Sequence, residues 1–100
     1  MAKAPRGAAA EHRVILPPDL RIGSVRPTWE ALAAVPARAT VVIDASSVAK
    51  VDASGLQLLA AALVRLRASG SAWRWREASD VLRSAAHLAG LSSDLELEAP

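Results

Sequence analysis

Apolar residues change their spacing several times along this chain, and each change marks an element. Val14, Ile15 and Leu16 form a short apolar run that Pro17-Pro18-Asp19 interrupts, and Leu20 and Ile22 then flank Arg21. This pattern predicts a strand, a turn and a short second strand between His12 and Ile22. Trp29, Leu32, Ala33 and Val35 are spaced as on a helix, which predicts a short helix over Thr28 to Val35, stopped by Pro36. Thr40 to Asp44 gives the clearest strand. Its consecutive β-branched residues Val41, Val42 and Ile43 leave no polar face, as expected of a strand buried on both sides in a parallel or mixed sheet under helices.

A connector follows from Ala45 to Ala53, pinned by Val48 and Val51. Leu56, Leu59, Leu63 and Leu66 then mark one stripe at spacings of three and four, which predicts a helix opening at Ser54 and closed by Gly70. Arg65 and Arg67 lie in its last turns, where cations complement the helix end. Trp73-Arg74-Trp75-Arg76 alternates strictly and predicts a strand with both indoles on one face. Ser79 to Gly90 predicts another helix, capped by Ser79 or Asp80. Leu95 and Leu97, alternating with Glu96 and Glu98, predict a short final strand. Strands alternating with helices imply an α/β fold, a mixed four- to five-stranded sheet with helices packed on it. Residues 1–11 (MAKAPRGAAAE) are expected to form a disordered tail, and residues 12–100 one domain.

Composition adds exclusions. The 100 residues suit a single domain, and 52% hydrophobic content supports a core, with only 3% aromatics making that core aliphatic. Without cysteine there is no disulfide scaffold and no thiol nucleophile. His12 and His87 have no second ligand at metal spacing. There is no phosphate-cradling glycine loop and no Ser–His–acid spacing, so a non-enzymatic domain without cofactor or metal is expected. No apolar run approaches the roughly 20 residues that span a bilayer. Met1 to Arg13 also lacks the apolar core of a signal peptide, so a cytoplasmic protein without membrane insertion is expected. Twelve basic residues stand against 10 acidic ones, interleaved, for a net charge of +2. Arg74 and Arg76 beside two tryptophans could serve a base-stacking surface, but scattered charge speaks against nucleic acid.

The informative segment is VVIDASSVAKVDASGLQLL, from Val41 to Leu59. A buried strand ends in Asp44, and Asp52-Ala53-Ser54-Gly55-Leu56 then opens a leucine-rich helix. This resembles the STAS domain, the fold of anti-anti-sigma factors and of the cytoplasmic tails of sulfate transporters, over roughly residues 13 to 98. From the residues alone, Ser54 reads as a helix N-cap, with Gln57 completing a capping box, and Asp44 and Asp52 read as loop-shaping carboxylates. The resemblance implies more. In anti-anti-sigma factors the serine just before Gly-Leu is phosphorylated by an anti-sigma kinase, which binds the unphosphorylated form, and Ser54 falls on that position. The implied contact surface is Asp44, Ser46, Ser47, Asp52, Gly55, Leu56 and Leu58, with Ala62 extending it and Gly55 leaving room for a partner's approach. One departure stands out: Pro18-Asp19-Leu20 is followed by Arg21, where the family commonly carries an acid. Two functions remain open. One is an anti-sigma factor antagonist switched at Ser54 by a serine kinase partner. The other is a constitutive STAS subunit of a chemotaxis-type signalling or lipid-transport complex, with Ser54 only a cap. Either would be a monomer or weak dimer that binds protein.

Overall fold

The structure is a computed structural model that describes residues 11–98 and Pro100. The expected disordered tail lies outside the described residues except for Glu11, which already belongs to the first strand. The elements are β1 (Glu11–Ile15), β2 (Asp19–Leu20), α1 (Arg26–Ala33), β3 (Thr40–Ala45), β4 (Lys50–Val51), α2 (Ala53–Ala68), β5 (Ala72–Ala78), α3 (Asp80–Leu88) and α4 (Ser92–Leu95). The α/β class stands. The strands form a three-stranded sheet in the order β1-β3-β5 and a two-stranded sheet of β2 and β4. Every pairing among the described residues is parallel.

β3 is central, as its β-branched run requires, and Val41, Val42 and Ile43 are buried. The two faces of the strand are covered differently, however. Val41, Ile43 and Ala45 join one apolar cluster that also takes in Leu32 of α1, Leu59 and Leu63 of α2, Leu82 and Ala86 of α3 and Leu95 of α4. Strand alternation puts Val42 on the other face, flanked in register by Arg13 of β1 and Arg74 of β5. Among the described residues the helices gather on the face of Val41, Ile43 and Ala45, and Val42 is buried on the other face as the β-branched run predicts.

The helix ends follow from local chemistry. Both α2 and α3 stop at a glycine with positive φ, Gly70 at 77° and Gly90 at 73°. Past each glycine the next amide reaches back, from Ser71 to the Leu66 carbonyl and from Leu91 to the Ala86 carbonyl, which satisfies carbonyls the helix leaves open. At the start of α3, the Ser79 hydroxyl accepts from the Leu82 amide, so Ser79 rather than Asp80 is the cap. α1 begins and ends two residues earlier than expected, with Pro27 in its first turn, where a missing N–H costs nothing. It buries Thr28 and Leu32, leaving Trp29 partly exposed.

Trp73 and Trp75 share a face of β5 and meet edge to face, with ring centroids 5.9 Å apart at 81°. The Arg67 guanidinium lies 5.5 Å over the Trp73 ring. The expected final strand Leu95–Glu98 is not one. Ser92–Leu95 is a helical turn, Glu96 takes a left-handed conformation, and the Leu97 amide donates to the Ser92 carbonyl at 2.9 Å. The alternation of Leu95 and Leu97 is real, because both leucines are buried. It arises from a turn that aims both inward, fixed by the Trp75 Nε1–H donating to the Leu95 carbonyl at 2.8 Å.

Candidate functional site

The residues singled out between Asp44 and Leu58 fall into two clusters that share no hydrogen bond among the described residues. The first closes β3. The Asp44 Oδ1 accepts from the Ser46 backbone amide at 3.0 Å and from the Ser46 hydroxyl at 2.7 Å, a local turn that ends the strand. The Ser46 hydroxyl, then its amide, hold the Asp44 carboxyl below its ordinary pKa, with Arg76 and Arg13 adding to the effect. Arg76 Nη1 stands 3.6 Å from Asp44 Oδ2. Ser46 and Ser47 are both exposed. Ser46 borders a shallow hollow of about 490 Å³ that it shares with Ser79, Asp80 and Arg83 at the start of α3.

The second cluster opens α2, and Asp52 organises it. The helix starts at Ala53, and Asp52 in extended conformation is its N-cap, with Oδ1 accepting from the Gly55 amide at 3.1 Å. Ser54 is therefore not the cap: it sits at the second helical position, half-buried, and the expected capping box with Gln57 does not form. The helix therefore starts one residue earlier than expected, at Ala53. The other carboxylate oxygen of Asp52 accepts from the Ile22 amide at 3.0 Å, thirty residues away in sequence. That bond is the largest cause holding the Asp52 carboxyl below its ordinary pKa, followed in the same direction by the Gly55 and Ser54 amides.

The Ile22 contact brings in residues that the helix motif alone does not reveal. Arg21, next to Ile22, folds back on Asp19. Its amide and Nε donate to Asp19 Oδ1 at 3.0 Å each, and Nη2 donates to Oδ2 at 2.9 Å. The arginine that departs from the family pattern is thus paired with the acid two residues before it, and its charge also favours the ionised form of Asp52.

Three residues expected to contact a partner are buried instead. Gly55 is buried, and a Cβ built on it would run into the Leu20 carbonyl oxygen, with Val51 Cγ2 at 3.0 Å and Leu20 Cβ at 3.1 Å. The glycine lets α2 approach β2 and makes no opening for another protein. Leu56 is buried in the core, as is Ala62, while Leu58 is half-buried against it. What remains at the surface is Ala53, Ser54 and Gln57, together with a hollow of about 310 Å³ lined by Ala53, Leu56, Gln57, Ala60, Ala89 and Leu91.

The pH dependence of this staple has a definite sign. Asp52 has a folded pKa below its unfolded value near 3.8. Its contribution is therefore complete above the unfolded value and is lost as pH falls through the folded one. Asp52→Asn, which carries the cap without the charge, should be less stable than the parent at neutral pH. The gap should narrow as pH falls below the unfolded value near 3.8 and through the lower folded one. Urea unfolding of both proteins at several pH values would check this; a gap independent of pH would show that the charge contributes nothing.

Among the described residues no group of three or more His, Asp or Glu is placed to hold a metal ion, and no helix is long and apolar enough to cross a membrane. No curated protein and no solved structure gives a significant match to the chain. A family model described as "Mlab, STAS domain" matches residues 4–97. STAS domains serve as binding domains in protein interactions. The parallel α/β core, the Asp44 strand end and the Asp52–Leu56 helix start all lie within that match, and the chain belongs to the STAS domain family.

Proposed function

We propose that this chain is a non-enzymatic interaction domain of the anti-sigma factor antagonist kind. It binds a regulatory protein partner through the Ser46–Ser54 loop and the start of α2, and phosphorylation of Ser54 switches that binding. The observation that carries the reading is the placement of Ser54. Its ordinary structural duty, capping α2, is performed by Asp52, which leaves a half-buried hydroxyl in the first helical turn beside a carboxylate. A phosphate there adds about −1.5 to −2 charges. The helix N-terminus favours that charge, while the adjacent Asp52 opposes it, so the modification changes the electrostatics of the surface sharply without touching the core. Arg21, already satisfied by Asp19, does not neutralise it at no cost.

A second reading has its own support. Val64 on α2 and Leu88 at the end of α3 are apolar side chains left 63% and 85% exposed, and a permanent partner in a signalling or transport complex would cover such positions. One experiment separates the two. A pull-down from native extract identifies the partner, and its affinity is then measured for the parent, Ser54→Ala and Ser54→Asp. The switch reading expects Ser54→Ala to bind like the parent, with unchanged stability because no cap is lost, and Ser54→Asp to bind about tenfold or more weakly. Equal affinities for all three, with no phosphate on Ser54 in cells, leave the constitutive reading standing.

A further inference from the structure

One carboxylate ties Arg21 to Ser54. An oxygen of Asp52 accepts from the Ile22 amide at 3.0 Å, and its other oxygen accepts from the Gly55 amide at 3.1 Å. Ile22 directly follows Arg21, and Gly55 directly follows Ser54. The bridge therefore fixes the backbone after β2 against the first turn of α2, with an arginine on one side and the serine on the other. The Arg21 guanidinium also feels the bridging group, since its charged form is favoured first by Asp19 and then by Asp52.

The start of α2 keeps its dipole but has few amides left for an anion. The Gly55 amide is taken by the Asp52 carboxylate, and the Leu56 amide donates to the Asp52 carbonyl at 3.1 Å. The Ser54 amide also acts on that carboxylate. A phosphate on the Ser54 hydroxyl thus meets a negative group where a helix start commonly presents open N–H groups. A cation has to supply what those amides do not.

Arg21 can be released to do so at small cost. Its pair with Asp19 lies at the surface, the side chains 50% and 37% exposed, and surface pairs of this kind contribute little to stability. Asp19 stays compensated when the guanidinium leaves. The Arg21 amide still donates to its Oδ1 at 3.0 Å, and Lys50, its partner in the β2–β4 register, adds to Arg21 in favouring its ionised form. A phosphate is the stronger partner, with three acceptor oxygens and close to twice the charge of a carboxylate.

Taking the Ser54 switch as given, we propose that Arg21 leaves Asp19 to hold the phosphate on Ser54, as this chain's own reader of the modification. Phosphorylation then alters more than the serine: the Arg21–Asp19 pair at the end of β2 is exchanged for a guanidinium–phosphate pair over the start of α2.

The test uses the full-length chain with phosphate on Ser54, introduced as phosphoserine during translation, so that neither kinase nor partner is needed. Two signals are followed by NMR: the phosphorus resonance through the second ionisation of the phosphate, and the Arg21 Nε–H resonance. The phosphate should titrate at least about half a pH unit lower in the parent than in Arg21→Gln, while Lys50→Gln should move the titration much less. The Arg21 Nε–H signal should differ between the phosphorylated and unmodified parent, a comparison that holds even if Arg21→Gln folds poorly. The proposal is overturned if Arg21→Gln titrates like the parent, if Lys50→Gln moves the titration as far as Arg21→Gln, or if phosphate leaves the Arg21 signal unchanged. The switch itself fails on different grounds, the partner affinities and the state of Ser54 in cells, so the two failures are told apart.

Discussion

Gly55→Ala is expected to cost about 3 kcal/mol of folding stability, at the upper end of what overpacking one methyl group does. The obstruction is the Leu20 carbonyl oxygen, with Val51 and the Leu20 Cβ close on either side. Two of these three neighbours belong to a residue fixed in β2, which pairs with Val51 in β4. None is the far end of a flexible side chain, so the methyl has nowhere to go unless α2 moves off the β2–β4 pair. Such a movement would also stretch the bond from Ile22 to Asp52, since both lie at the same junction. Urea denaturation of the variant against the parent checks the magnitude. Loss of the Ile22 amide's protection in hydrogen exchange would locate the damage. A cost below about 0.5 kcal/mol would mean that the junction is loose, and that the glycine is there for some other reason.

Leu63→Ala is expected to cost between about 2 and 5 kcal/mol, while Val64→Ala, its neighbour, should fall within about 0.5 kcal/mol of the parent. Leu63 is fully buried in the cluster that joins α2 to the sheet, whereas Val64 is 63% exposed. Removing the leucine leaves a cavity among Leu59, Leu66 and their neighbours, in a core with few aromatic side chains able to collapse into it. The contrast between adjacent positions tests the orientation of α2 directly. Comparable effects at both sites would mean that the helix is rotated, or that Val64 is covered in solution by a second chain. Concentration-dependent unfolding would reveal the latter.

The periodic features of this chain were legible because they depend on near neighbours. The leucine stripe of α2, the strict alternation of Trp73 to Arg76 and the β-branched run of β3 each express one local geometry, and each appears as an element where expected. The glycines closing α2 and α3 were equally readable, because only the left-handed conformation lets the chain turn there. The motif around Asp52 to Leu56 was legible as a family resemblance, and the match over residues 4–97 supports it.

What local pattern could not settle was decided by contacts between distant segments. Whether Asp52 or Ser54 caps α2 depends on the Ile22 amide, which fixes the second carboxylate oxygen from thirty residues away. Whether Gly55 offers an opening or fills a tight junction depends on where β2 runs, and β2 and β4 are two-residue strands too short to show a period. The Leu95–Glu98 alternation had two solutions, a strand or an inward turn. The Trp75 indole bond to the Leu95 carbonyl and the left-handed Glu96 selected the turn. The position of Arg13 and Arg74 beside Val42 was hidden for the same reason. A run of three β-branched residues reports that a strand is buried, but not which segments do the burying. That depends on the sides to which the crossover connections bring α1, α2, α3 and α4, and here they all bring them to one.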